Sequence, residues 1–205
     1  MVASGVTASS RRTALRRWGV YESALICLAL AGGHSGLALA GEVPVEVQSR
    51  LIGKIPAYDR DFRSRAGEVV HVLILSNSDF PGSVRAAELL RAALQQQRSV
   101  AGSRHDVAVL PFTQAAALAR EVERRSVSIV YLTPGLEAAL GPICKVLEAA
   151  KVLTMSGRED YVRQCVVVGF RLVGGRPRIL VHLQHARRSG IRFRSELLEL
   201  ATVLR

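Results

Sequence analysis

The sequence predicts a single α/β domain: a mostly parallel sheet of about four strands, extended by a C-terminal antiparallel hairpin, with helices on both faces in a Rossmann-like or flavodoxin-like arrangement. Three observations predict it. Short apolar runs alternate with amphipathic stretches of helical period between residues 69 and 155. Those runs are continuously apolar, as strands buried on both faces require. Past residue 165 the alternation stops, and two strand-like runs flank Gly174-Gly175, a pair that tolerates positive φ at a hairpin turn.

Residues 1–40 stand apart from this domain. Arg11, Arg12, Arg16 and Arg17 form a basic start, Glu22 is the one acid before residue 41, and Val20 to Leu39 is apolar and small, ending Ala38-Leu39-Ala40. That pattern predicts an export signal cleaved after Ala40. An uncleaved anchor needs about 20 strongly apolar residues, and Glu22, Gly32, Gly33, His34, Ser35 and Gly36 interrupt this stretch. Ser10-Arg11-Arg12-Thr13-Ala14-Leu15-Arg16 also resembles a twin-arginine signal, with Ala14 in place of the usual aromatic. General and twin-arginine export therefore both stay open, and both lead to the periplasm. The expected mature domain is 41–205.

The elements of that domain follow in order. Val43 to Asp59 reads as an amphipathic helix with Val47, Leu51, Ile55 and Tyr58 in one stripe, Pro44 near its first turn and Pro56 ending or kinking it. Asp59 to Gly67 is a charged connector. Val69 to Leu75 is the first strand, Ser76 to Ser83 a turn, and Val84 to Gln97 a helix with Ala87, Leu90, Ala93 and Leu94 inward. Val107 to Leu110 is the second strand, Thr113 to Arg125 a helix, and Val127 to Leu132 the third strand. Thr133 as N-cap and Pro134 at the first helical position begin a helix reaching about Ala150. Lys151 to Met155 is the fourth strand, and Ser156 with Glu159 forms a capping box. Val166 to Leu172 and Pro177 to Leu183 make the hairpin. Ser195 to Leu204 closes the chain as a helix with Leu197, Leu198, Ala201 and Leu204 on one face.

Charge and composition narrow the function. The chain of 205 residues is 49% hydrophobic with a formal charge of +11, which excludes a disordered chain. Losing residues 1–40 removes four arginines and one glutamate and leaves +8. Nucleic acid is not the expected partner: the chain is exported, 5% aromatic, and without zinc-finger spacing. Eight arginines and two acids fall between Arg171 and Arg205. Arg176, Arg178, Arg187, Arg188, Arg192 and Arg194 are thus candidates for docking an acidic partner or an anionic surface; the plainer reading is a solvated basic face.

No catalytic constellation is present. The sequence lacks G-x-S-x-G, H-E-x-x-H, a P-loop, and G-x-G-x-x-G after the first strand. We expect no catalytic residue, no cofactor and no metal. Ser76, Asn77 and Ser78, with Thr133, sit where open α/β sheets bind ligands, and Ser78 or Ser83 with free helix N–H groups would hold a small anion. The plainer reading is that Ser78 or Asp79 caps the following helix. His182 and His185 are three apart but lie at the end of a strand, a poor geometry for a shared metal. Cys144 and Cys165 remain after export. They are a candidate disulfide in an oxidising compartment, or two separately buried thiols.

The C-terminal half carries a resemblance. Tyr131-Leu132-Thr133-Pro134, Val152-Leu153-Thr154-Met155-Ser156 and Val167-Val168-Gly169-Phe170 resemble successive strands of the YfiR/HmsC-like family of exported proteins. The likeness continues through Gly175-Arg176-Pro177-Arg178-Ile179, Val181-His182-Leu183 and Ala186-Arg187-Arg188, and ends in Phe193 to Ala201. The resemblance implies a non-enzymatic periplasmic regulator. Its relatives repress a membrane-bound diguanylate cyclase by contacting the periplasmic region, lowering cyclic-di-GMP and biofilm formation. A membrane diguanylate cyclase or sensor kinase is the implied partner, and a homodimer is left open. The chain departs from the family at His182, where relatives commonly have Asn, and at Lys54 to Asp59, which lacks their aromatic-rich ending. A periplasmic solute-binding protein, using the mouth of the parallel sheet, is the alternative.

Overall fold

A computed structural model describes residues 42–205, so the expected export signal and its cleavage point lie outside the described residues. The chain enters through α1 (Val45–Lys54), which passes at Pro56 into a 3-10 turn, Ile55–Tyr58. Its fully buried face is Gln48, Ser49, Ile52 and Gly53, with Val47 and Leu51 half-buried beside it. The helix therefore sits rotated from the purely apolar stripe. Tyr131 explains the rotation: its hydroxyl donates to Gln48 Oε1, and Gln48 Nε2 donates to the Val43 carbonyl at 2.7 Å. A buried amide is acceptable here because it is hydrogen-bonded at both ends. The charged connector carries a short helix, α2 (Phe62–Ala66), anchored by buried Phe62.

The alternation then proceeds: β1 (Val69–Ser76), α3 (Pro81–Gln95), β2 (Arg104–Pro111), α4 (Ala115–Arg124), β3 (Ile129–Leu132), a 3-10 turn leading into α5 (Leu140–Ala149), β4 (Leu153–Ser156), α6 (Glu159–Gln164) and β5 (Val168–Val173). β6 (Arg176–His182), α7 (Leu183–Arg188), α8 (Ser195–Leu200) and β7 (Ala201–Leu204) complete it. One sheet runs in the order β2-β1-β3-β4-β5-β6-β7. The first five of these are mutually parallel, β6 is antiparallel to β5, and β7 is parallel to β6.

The predicted α/β class, the parallel sheet and the hairpin are what the structure shows. Gly174 and Gly175 make the hairpin turn at φ +56° and +74°, where a side chain would be strained. Both sheet faces are covered, and β1 shows it residue by residue. Val70, Val72 and Ile74 pack in one cluster with Ala87, Leu90 and Leu94 of α3, while Leu73 and Leu75 pack in the other with Leu118 and Val122 of α4.

Several local expectations are overturned. Residues 201–204 form a strand, not the end of a helix: Ala201 to Leu204 pair in register with Ile179 to His182. Leu183 begins α7 instead of ending the hairpin. Thr133 is not an N-cap, and the helix it was to begin starts at Leu140, after a 3-10 turn. Phe80 and Arg158, which lack side-chain capping bonds, occupy the N-cap positions expected for Ser78 or Asp79 and for Ser156. The hydroxyls of Thr133 and Ser156 instead donate to carbonyls of neighbouring strands, those of Leu75 and Leu132.

Candidate functional site

Strand order reverses at β1, whose two flanking crossovers use opposite sheet faces, so a crevice opens between the carboxyl ends of β1 and β3. The residues predicted as a ligand loop meet there but turn inward. Ser76 and Thr133 are buried. The Asn77 N–H donates to Ser83 Oγ at 2.8 Å, Ser83 Oγ lies 2.6 Å from Thr133 Oγ1, and Thr133 Oγ1 donates to the Leu75 carbonyl at 2.9 Å. With one proton per hydroxyl, Ser83 must donate to Thr133. Asn77 Nδ2 donates to the Gly135 carbonyl at 2.7 Å, and its Oδ1 accepts from the Asp79 N–H. This relay fastens β1 to β3 and leaves Ser78 alone facing solvent.

Above the relay lies a hollow of about 520 Å³, walled by Phe80, Gly82, Ala86, Pro134 and Gly135. Phe80 is 44% exposed, and its ring lies where a Cβ on Gly135 or Gly82 would stand. The charged residues of the hollow are Glu42, Asp79, Glu137 and Arg158. Arg158 is held by both carboxylate oxygens of Asp160 at 3.0 Å. The lining is therefore acidic, and a small anion, the alternative reading of this loop, is disfavoured there.

The six candidate docking arginines do not share one face. Arg176 and Arg178 stand exposed at the start of β6, beside the carboxyl ends of the parallel strands. Arg187 and Arg188 follow the end of that strand, and seven residues of β6 span roughly 20 Å. Arg192 is bound to Asp61, its Nε 2.6 Å from one carboxylate oxygen, which pulls the Asp61 carboxyl below its ordinary value. Arg188 lies 3.9 Å from Glu148. Arg194 turns away to the 3-10 turn after α1, where its N–H donates to the Tyr58 carbonyl at 2.9 Å.

Cys144 on α5 is joined to Cys165 at the end of α6, with Cα atoms 5.8 Å apart. Close by, His182 and His185 stack with ring centroids 3.7 Å apart, both buried. His182 ends β6, and its Nδ1 receives the His185 N–H at the start of α7. Burial lowers both imidazole pKa values, that of His185 to about 4, with His182 and Arg188 adding like-charge repulsion. Among the described residues no group of three His, Cys, Asp or Glu is placed to hold a metal ion, and no helix is long and apolar enough to cross a membrane.

Arg50, Lys54 and Arg98 escaped the sequence reading, which weighed charge by stretches of chain. The three are far from the C-terminal run in sequence, yet the fold gathers them with Arg194.

Comparison with known proteins gives the fold context. No curated protein matches. A conserved domain protein from Vibrio cholerae O1 biovar El Tor superposes with a TM-score of 0.58 at 14% identity, over 79% of this chain and 60% of that one. The ABC domain in complex with L-Trp from Streptococcus pneumonia gives 0.56 at 12% identity, over 79% and 60%. The ligand-free, open structure of a substrate binding protein with adhesive properties from Clostridium difficile gives 0.52 at 10% identity, over 71% and 57%. The chain thus spans less than two thirds of each of these, and the likeness is one of fold. The sequence itself is more telling, since the family described as YfiR/HmsC-like matches continuously from residue 47 to residue 202. With that match laid along the seven-stranded sheet, the chain belongs to the YfiR/HmsC-like family, a family of periplasmic regulators.

Proposed function

We propose that the protein is a non-enzymatic periplasmic regulator that binds the periplasmic part of a membrane signalling protein, a diguanylate cyclase or a sensor kinase, and lowers cyclic-di-GMP and biofilm formation. The family match over residues 47–202 carries this reading. Two features support it. The pairing of Cys144 with Cys165 suits an oxidising compartment. The hydroxyls at the mouth of the sheet are spent on one another, a structural use of groups that a catalytic site keeps free. The chain leaves the cytoplasm through its N-terminal segment and acts by contact. Deleting the gene and measuring cyclic-di-GMP tests this: the level rises if the protein represses a cyclase, and an unchanged level across growth conditions contradicts it.

A second reading rests on the hollow of about 520 Å³ at the switch point, a size that suits a small solute. Its acidic lining selects a cationic or zwitterionic solute. Such a solute raises the melting temperature of the protein, and Asp79→Asn with Glu137→Gln abolishes the rise. A screen of amines and amino acids that produces no shift removes this reading.

A further inference from the structure

A groove of about 660 Å³ lies between α1 and the turn joining α3 to β2. Its charged residues are Arg50, Lys54, Arg98 and Arg194, and no carboxylate lines it. Arg50 and Lys54 sit one helical turn apart, on the same face of α1. Arg98 comes from the turn, which is tied down by the Ala101 N–H donating to the Gly53 carbonyl at 2.8 Å. Gly53 has no side chain to hold off Gln97, so the turn approaches α1 closely. Arg194 is placed by its backbone bond to Tyr58. Three segments distant in sequence thus build one concave basic surface.

Among the described residues the arginines divide into those paired with a carboxylate and those, Arg176, Arg178 and Arg187 among them, that are not, and the groove is distinguished by gathering four unpaired cations in one concavity. Arg65, Arg91, Arg124, Arg125, Arg158, Arg163, Arg171, Arg188 and Arg192 each lie within 4.0 Å of a carboxylate. Among the described residues, none of the four groove cations does. Arg50 Nε donates to the Glu46 carbonyl at 3.2 Å, an uncharged partner that leaves its charge unbalanced. Like charges gathered in a concavity without counter-charge raise the local potential, and an anionic partner relieves it.

We propose that this groove docks an acidic peptide segment of the membrane partner, a reading that rests on the proposed function. A peptide fits better than a compact anion for two reasons. The four charged side chains are exposed, spread along the walls instead of converging in a buried pocket. Between them Ala57, half-buried Tyr58 and Ala101 offer apolar surface to the stem of an extended chain.

Fluorescence anisotropy with a short fluorescein-labelled peptide of alternating Glu and Ser tests the groove on the purified protein. Arg50→Ala with Lys54→Ala and Arg98→Ala weakens binding by at least about tenfold, whereas removing the same charge through Arg176→Ala, Arg178→Ala and Arg187→Ala changes it less than about twofold. Unchanged circular dichroism certifies that both variants fold. Equal losses in the two variants, or no loss in the groove variant, overturn the proposal. So does groove-dependent binding of phosphatidylglycerol vesicles without peptide binding, or inorganic phosphate binding more tightly than the peptide. The assay uses no cyclase, so its failure is distinct from an unchanged cyclic-di-GMP level, which would strike the proposed function instead.

Discussion

At the scale of single residues, the stacked histidines make stability depend on pH. The His185 pKa is lowered to about 4 by burial first, then by His182 and Arg188, while Glu148 of α5 stands 3.9 Å from Arg188. A group whose folded pKa is depressed binds fewer protons in the folded state, so its stabilising effect holds above the ordinary histidine range and is lost as pH falls toward 4. Between pH 6.5 and 4 the protein loses about 2 kcal/mol through this site, after allowance for solvent screening. Denaturant titrations across that window show a loss in the parent that His185→Gln reduces. A second residue-scale prediction concerns Gly169 in β5, where an added Cβ would run into Val162 Cγ2, a fully buried branched side chain. Gly169→Ala should cost about 1–3 kcal/mol by overpacking, read as a lower denaturation midpoint.

Elements set the next scale, and here the two ends of α6 matter. Tyr161 is fully buried, and its hydroxyl accepts the Leu136 N–H at 2.8 Å. The Cys144–Cys165 pair ties α5 to the end of the same helix across a sequence separation of 21. A closed loop of that length contributes about 3 kcal/mol. Thermal melts with and without reductant measure it, and Cys144→Ser with Cys165→Ser makes the melt insensitive to reductant. β7 is the other element with a consequence. Truncation after Leu200 exposes the unpaired edge of β6, including Leu180 and Val181, and an open strand edge promotes association. Size-exclusion chromatography then shows larger oligomers or aggregates than the parent forms, and an elution profile unchanged from the parent's contradicts the role given to β7.

The same strand shows why part of the fold was legible in the sequence and part was not. β1 and β3 read as buried strands because their side chains are apolar on both faces, a property carried by each strand's own residues. Residues 201–204 carry no such mark: Leu197, Leu198, Ala201 and Leu204 satisfy a helical period, and only pairing with β6 makes the last four a strand. Ser83, Thr133 and Ser156 have the right chemistry for caps, and locally nothing separates that use from bridging two strands. What decided between them was a partner remote in sequence, 50 residues away in the case of Ser83 and Thr133.

For the whole molecule, charge is organised by the fold and not by chain position. The C-terminal arginines divide among the start of β6, its far end and an ion pair with Asp61, while Arg194 joins three cations from the N-terminal half. A surface assembled in this way suits recognition of a partner, and the family implies a membrane protein as that partner. The proposed repression by contact requires the folded domain outside the cytoplasm. The most direct measurement is cyclic-di-GMP in a deletion strain complemented with residues 1–205, or with residues 41–205 alone. A repressor that acts outside the cytoplasm gives a raised level on deletion, restored by residues 1–205 and not by residues 41–205. A level that deletion leaves unchanged, or that residues 41–205 restore as well, would contradict that role.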